Sequence, residues 1–249
     1  MWTKIILSAL LMISLAGNIA LFGSSDNYMH MPDKAVKDTL SVQDVGTGDL
    51  EEYNTEYDFH SNTQYDERLS IFKLNHSQAD VVFAGDSITQ KWLVNEFFPD
   101  VNLLNRGIGS DVSAGLLDRM DEILSHDPDI IIILIGINDI GKKIPPDDTK
   151  SNVEQCLQMC SNQKITVYLI SILPVVEKDG QKINDEVVAL NKEYEKLCIL
   201  DKIVFLSIYD SFLKEDGSVN EENYGPDGVH LNANGYTILS DFLSPYIYQ

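Results

Sequence analysis

Four short stretches of this chain hold residue types suited to nucleophilic chemistry. The first is GDSIT at 85–89, which follows the apolar run VVFA and precedes an amphipathic stretch. Ser87 is therefore expected at a strand-to-helix turn, where free backbone N–H groups and the helix dipole favour negative charge. That position suits a serine nucleophile, and it suits an N-cap serine equally well. It is not the G-x-S-x-G elbow, because residue 89 is Thr. The second stretch is NRGIG at 105–109, where glycine lets the backbone approach a ligand closely or simply makes a turn. The third is GIND at 136–139, which sets the uncharged amide of Asn138 at the end of an apolar run. Such a donor can meet an oxyanion, and Asn is also a common turn residue. The fourth is GPDGVHLN at 225–232. Asp227 and His230, three apart, can place a carboxylate against an imidazole nitrogen, which fixes the tautomer and supports the imidazolium. The same spacing also occurs in surface turns and in half of a metal site. No HExxH, CxxC or carboxylate cluster accompanies it, so neither a metal nor a cofactor is expected.

The elements that must position these residues are legible as alternating patterns. Apolar runs at 79–84, 101–105, 130–135, 165–171 and 203–207 read as strands, and the third, DIIIILIG, has no polar residue for a solvent face. Amphipathic stretches at 88–97, 111–125, 148–161, 183–200 and 234–246 read as helices between and after them. Five strands alternating with helices predict right-handed βαβ units in a three-layer α/β/α, doubly wound parallel sheet. Such a sheet binds its ligand at the carboxyl ends of its strands, where three of the four stretches fall.

Composition narrows the partners. The chain has 249 residues, with 18 Lys and Arg against 39 Asp and Glu, a net charge of −21. The acidity argues against nucleic acid as a partner and against charge-driven resting on an anionic membrane. Three cysteines are too few for a disulfide-built scaffold. Cys156 and Cys160 fall four apart on one predicted helix and Cys198 on another. They are read as buried free thiols, with a bridge to Cys198 as the alternative in an oxidising compartment.

The folded domain is expected from Tyr65 to the C-terminus, residues 65–249. Before it, residues 23–64 are rich in Ser, Asp, Asn, Gly, Thr and Glu without a sustained period, and read as an acidic, flexible tether. Lys4 followed by the apolar run 5–22 reads as a secretion signal or an N-terminal membrane anchor, with the remainder extracytoplasmic under the positive-inside rule. Eighteen residues are just enough to span a bilayer. His30 and His60 in the tether, and His76 and His126 in polar loops, are read as solvated surface.

The four stretches, in this order and in these strand-end contexts, resemble the SGNH/GDSL hydrolase family, which has a flavodoxin-like fold. Ser87, Gly107, Asn138 and His230 match the four letters of its name. Trp92 and Arg119 fit its small single-domain branch, similar to esterases that resemble platelet-activating-factor acetylhydrolase. The resemblance runs from about Asp80 to the C-terminus; the N-terminal run and the acidic tether are not family features. It implies a carboxylic ester hydrolase in which Ser87 attacks, His230 moves the proton and Asp227 orients His230. It also implies an oxyanion hole made by the amides of Ser87 and Gly107 and the side chain of Asn138. Asp86 and Asp139 are expected to cap or brace their loops. Arg119 is expected to be structural, paired with Asp118, Glu122 or a loop carbonyl.

The connections at the carboxyl rim read as short except 207–224, with no large lid or apolar insertion. A shallow site suits a short acyl group such as acetyl, and an acidic surface suits a neutral small-molecule or glycan ester. A lysophospholipase or thioesterase, and an acyltransferase working through the same acyl-enzyme, are the alternatives within the fold. A non-catalytic binding module is the alternative outside enzymes.

Overall fold

The computed structural model describes residues 53–178, 180–198 and 202–248. The apolar run 5–22, His30 and most of the expected tether lie outside the described residues. Among the described residues, no helix is long and apolar enough to cross a membrane.

The five strands are β1 (Val81–Gly85), β2 (Leu103–Gly107), β3 (Ile130–Leu134), β4 (Thr166–Ile170) and β5 (Ile203–Leu206). All pairings are parallel, in the order β2-β1-β3-β4-β5. This is the flavodoxin-like doubly wound order, with its topological switch at the β1/β3 boundary. Side chains alternate across the sheet because the strand period is two. Val82 and Ala84 of β1 join a core with Leu116, Met120, Val153, Leu157 and Tyr194 on one face. Val81 and Phe83 join Ile88, Trp92, Leu239 and Leu243 on the other. The central strand β3 is buried from Ile131 to Leu134, as its uninterrupted apolar run requires.

The helices are α1 (Thr63–Phe72), α2 (Ser87–Lys91), α3 (Val94–Phe97), α4 (Ser113–Asp118), α5 (Met120–Leu124), α6 (Ile137–Gly141), α7 (Pro146–Asn162), α8 (Ile183–Leu197) and α9 (Ala233–Ile247). Two of the expected helices are broken. The 88–97 stretch divides between α2 and α3 at Trp92 and Leu93, whose backbones leave the helical region. The 111–125 stretch divides between α4 and α5 at Arg119 (φ −103, ψ 10). That break turns the Arg119 guanidinium inward. Its Nη1 donates to the Arg106 carbonyl at 2.7 Å and its Nη2 to the Gly85 carbonyl at 3.0 Å. Its carboxylate partner is Asp111, with Nη2 to Oδ2 at 2.9 Å and both side chains fully buried. The two carboxylates expected as partners are engaged elsewhere: Asp118 accepts from the Tyr65 hydroxyl, and Glu122 pairs with Arg106.

The fold begins earlier than Tyr65. Residues 59–61 form a 3-10 turn, Asn62 caps α1, and the Asn62 side chain donates to the Gly109 carbonyl at 2.7 Å. Capping and one long-range bond per few residues leave no apolar period, so sequence pattern alone does not separate this segment from a tether. His126 also differs from expectation, because it is fully buried. Its Nδ1 meets the Ser77 carbonyl at 2.7 Å, and its Nε2 lies 2.9 Å from both Glu122 Oε1 and Arg106 Nη2. His126 sits one turn from Glu122, and the buried guanidinium of Arg106 draws both inward. His60 and His76 are exposed, as expected. Cys156, Cys160 and Cys198 are free, the first two buried.

Arg119 ties the carboxyl ends of β1 and β2 together while neutralising Asp111. Arg119→Met keeps the apolar stem and leaves Asp111 buried without its counter-charge. Unfolding in urea is expected to show a loss of about 3–5 kcal/mol.

Candidate active site

Ser87 opens α2 directly after β1. Asp86 caps that helix, its Oδ1 accepting from the Ile88 amide at 2.8 Å. Ser87 itself is therefore not the cap, and its hydroxyl is free to face the rim. The partner comes from the other end of the chain. His230 Nε2 lies 2.8 Å from Ser87 Oγ, and His230 Nδ1 lies 2.6 Å from Asp227 Oδ2. A carboxylate only accepts, so Nδ1 carries the proton and Nε2 accepts from the serine hydroxyl. Asp227 Oδ1 is held by the amides of Val229 and His230 at 3.0 and 2.9 Å. Partial burial pushes the Asp227 carboxyl up, but the His230 ring, these two amides and the imidazole charge outweigh it. The net effect holds the carboxyl well below the usual carboxylate range.

Helix α9 sets this meeting. Its Asn232 cap accepts from the Asn234 and Gly235 amides and donates to the Glu222 and Tyr224 carbonyls. Tyr236 donates its hydroxyl to the Ile88 carbonyl at 2.8 Å, and the Trp92 indole donates to Ser240 Oγ at 3.0 Å. Both bonds tie α9 to the turn that carries Ser87. The 225–230 loop is braced by the connection after β4, which the sequence did not mark as long. The Val176 amide donates to the Gly228 carbonyl at 2.8 Å, and the Tyr224 hydroxyl to the Pro174 carbonyl at 2.6 Å. Gly228 has φ +74, and a Cβ there would lie 2.8 Å from Val176 Cβ, so only glycine fits this contact.

The donors around Ser87 differ in part from expectation. Ser87 occupies the first helical position, and its amide has no hydrogen-bond partner among the described residues. Asn138 gives one Nδ2 hydrogen to the Asp111 carbonyl at 2.9 Å, which leaves the other for a ligand. Gly107 is a packing glycine: its amide donates to Asn105 Oδ1 at 2.9 Å, and a Cβ there would overlap the Gln90 backbone. In the same loop the amide of Ile108 goes to the Gly85 carbonyl, that of Gly109 to Gln90 Oε1 and that of Asp111 to the Ile108 carbonyl. The amide left over is that of Ser110, an exposed residue held at φ +58. A non-glycine residue at positive φ is a structural signal, and nothing in the letters of NRGIGSD announces it.

Beneath this rim lie buried carboxyls. Asp139 braces two helix starts, accepting from the amide and hydroxyl of Ser113 at the head of α4 and from the Thr149 hydroxyl in the first turn of α7. Burial nevertheless pushes it up to about 6. Asp86 is fully buried with Oδ2 unpartnered, and burial pushes it up to about 7 against its single amide bond. The charge of Arg119 acts against that rise.

A hydroxyl, an imidazole and a carboxylate in contact at the carboxyl rim of a doubly wound sheet are the constellation of an acyl hydrolase. The chain belongs to the GDSL-like lipase/acylhydrolase family, whose model matches residues 83–238, and it is a carboxylic ester hydrolase. It is 26% identical over 169 residues to the isoamyl acetate-hydrolyzing esterase of Saccharomyces cerevisiae, covering 61% of this chain and 71% of that protein. It is 27% identical over 184 residues to the N-acylneuraminate cytidylyltransferase of Escherichia coli, covering 69% of this chain and 41% of that protein. This chain therefore spans less than half the length of that second relative. Its fold superposes on a GDSL-like lipase of Bacteroides thetaiotaomicron with a TM-score of 0.65 and 25% identity, over 74% of this chain and 97% of that one.

The raised carboxyls have a measurable consequence. Between the unfolded value of about 4 and the folded value, the native state holds more protons than the unfolded chain. Their stabilising contribution is complete below about pH 4 and is lost as pH rises through about 7 for Asp86. Asp86→Asn keeps an acceptor for the Ile88 amide and removes one titrating group. Urea unfolding at pH 5 and pH 7.5 is expected to show a smaller loss of stability in this variant than in the wild type.

Proposed function

We propose that this protein is a serine esterase that removes short acyl groups, acetyl above all, from a glycan or other neutral ester outside the cytoplasm. The observation that carries the reading is the 2.8 Å approach of Ser87 Oγ to His230 Nε2, backed by the 2.6 Å contact of Nδ1 with Asp227. In the first half-reaction Ser87 Oγ bonds to the ester carbonyl carbon as its proton passes to His230 Nε2. The oxyanion is met by the amides of Ser87 and Ser110 and by the free hydrogen of Asn138 Nδ2. His230 returns the proton to the departing alkoxide, which leaves an acyl-serine. Water then bonds to the acyl carbon as its proton passes to the same nitrogen, and that proton moves on to Ser87 Oγ as the acyl–Oγ bond breaks and the acid leaves. Asp227 stays ionised and steadies the imidazolium throughout.

The preference for acetyl is supported by the yeast relative, whose name gives an acetate ester as its substrate. The neutral substrate follows from the net charge of −21, which repels anionic esters. The extracytoplasmic location rests on Lys4 and the apolar run 5–22, which act as a signal or as an anchor on the membrane. A lipid ester is the second reading, favoured by the Bacteroides neighbour's description as a lipase.

A fluorophosphonate probe is expected to label the wild type and not Ser87→Ala. Among 4-nitrophenyl esters, acetate is expected to be cleaved faster than octanoate; the reverse order would favour the lipid ester. Asn138→Ala is expected to lower kcat about a hundredfold or more with the fold intact. The pH dependence of kcat/KM is expected to show one acid limb. The reaction needs Nε2 of His230 as an acceptor, so the rate is expected to fall on the acid side. Asp227, held low, adds no second limb above about pH 4.

A further inference from the structure

The segment 53–62 precedes the residues matched by the family model and is tied at its two ends to the stretches that follow β2 and β3. At one end the Asn62 side chain is bonded to the Gly109 carbonyl. At the other the Asn54 amide donates to the Lys143 carbonyl at 2.7 Å, and Lys142 Nζ sits 5.2 Å from the centre of the Tyr57 ring. Between this strap and the starts of α4 and α7 lies a hollow of about 250 Å³. The strap lines it with Asn54, Thr55 and Tyr57, and α7 lines it with Asp148, Ser151 and Asn152.

A chain of hydrogen bonds links the hollow to the residue next to Asn138. Asn152 Nδ2 donates to Ser113 Oγ at 3.0 Å, and Ser113 in turn is bonded to Asp139, the neighbour of Asn138. The polar cluster of Ser113, Asp139 and Asn152 thus separates the hollow from the Asn138 amide. A ligand that fills it while its ester lies at Ser87 would span that cluster with a part remote from the reaction.

The lining defines the class of ligand. Side-chain amides, hydroxyls and one carboxylate offer donors and acceptors for several hydroxyl groups at once. The tyrosine ring offers a face for the apolar side of a sugar ring, and Ala114 and Ile144 supply the apolar remainder. The side chains of Thr55 and Asp148 and the Tyr57 hydroxyl make no hydrogen bond among the described residues, so these groups are unspent. Among the described residues no Lys or Arg lines the hollow itself, Lys142 standing over one face of the Tyr57 ring, and Asp148 disfavours a phosphate or a uronate. We propose that the hollow is a carbohydrate subsite, holding a neutral sugar unit of a glycan one or more residues away from the acylated one. The proposal rests on the glycan-ester reading above and deepens it.

The test compares wild type with Tyr57→Ala and Asp148→Asn on 4-nitrophenyl acetate, an acetylated monosaccharide and acetylated tetrasaccharides. The tetrasaccharides are the β-1,4-linked xylose, glucose and N-acetylglucosamine series. The variants are expected to match wild type within about twofold on the first two substrates. On the preferred tetrasaccharide KM is expected to rise about tenfold with kcat unchanged, the signature of lost ground-state binding remote from the reaction. Equal cleavage of every tetrasaccharide by variants and wild type overturns the subsite and leaves the glycan-ester reading standing. Equal losses on all three substrate types also overturn it. Calorimetric titration of Ser87→Ala with the unacetylated tetrasaccharides separates the remaining case. Binding that Tyr57→Ala abolishes, in a protein that cleaves 4-nitrophenyl acetate but no acetylated sugar, upholds the subsite and overturns the glycan-ester reading. Absence of both binding and sugar cleavage overturns both.

Discussion

The hydrogen bond between Ser87 Oγ and His230 Nε2 joins residues 143 positions apart, and the surrounding architecture is organised around holding that contact. Closing so long a loop carries an entropic cost that a single hydrogen bond does not offset. Burial provides the difference. Ile88, Trp92 and Phe83 pack with Leu239 and Leu243 on one face of the sheet, so α9 is seated by apolar area before its polar contacts count. The bonds from Tyr236 to Ile88 and from Trp92 to Ser240 then fix its rotation and depth against α2. His230, just before α9, is placed by that seating, and the brace from Val176 to Gly228 sets the approach of its loop.

A second constraint is electrostatic. Asp86, Asp111 and Asp139 are all buried below the rim, in a protein whose net charge is already strongly negative. Each has a structural duty: capping α2, pairing with Arg119, and joining the start of α4 at Ser113 to the start of α7 at Thr149. Arg119 reconciles them in part. It neutralises Asp111 and spends its remaining donors on the carbonyls at the ends of β1 and β2. The strand ends that launch Ser87 and the 107–110 loop are thereby held by one side chain. A buried ion pair of this kind contributes more to placing the rim than to net stability, since its desolvation cost is high.

Local patterns carried much of the fold. The five apolar runs matched the five strands to within about two residues at each end, because a strand covered on both faces needs an unbroken apolar sequence. The broken helices were not legible. The apolar period continues through Arg119 and through Trp92, and only the demand of a buried guanidinium or a neighbouring sheet edge interrupts the backbone there. The strap before Tyr65 was missed for a related reason: its order comes from caps and single long-range bonds, which leave no period to read. His126 looked like a surface residue until Arg106, twenty positions earlier, was seen to lie beneath it.

The letters of four strand-end motifs determined the chemistry on offer: a hydroxyl at a helix start, an amide after the central strand, and a carboxylate three residues from an imidazole. Residue type and spacing are local properties, so they survive in one dimension. Which amides remain free is a different kind of fact. Gly107 and Ser110 stand three apart in one loop, and only the tertiary structure gives the first to Asn105 and leaves the second unpaired. Hydrogen-bond capacity is consumed by whichever partners the fold brings near, and those partners come from distant parts of the chain.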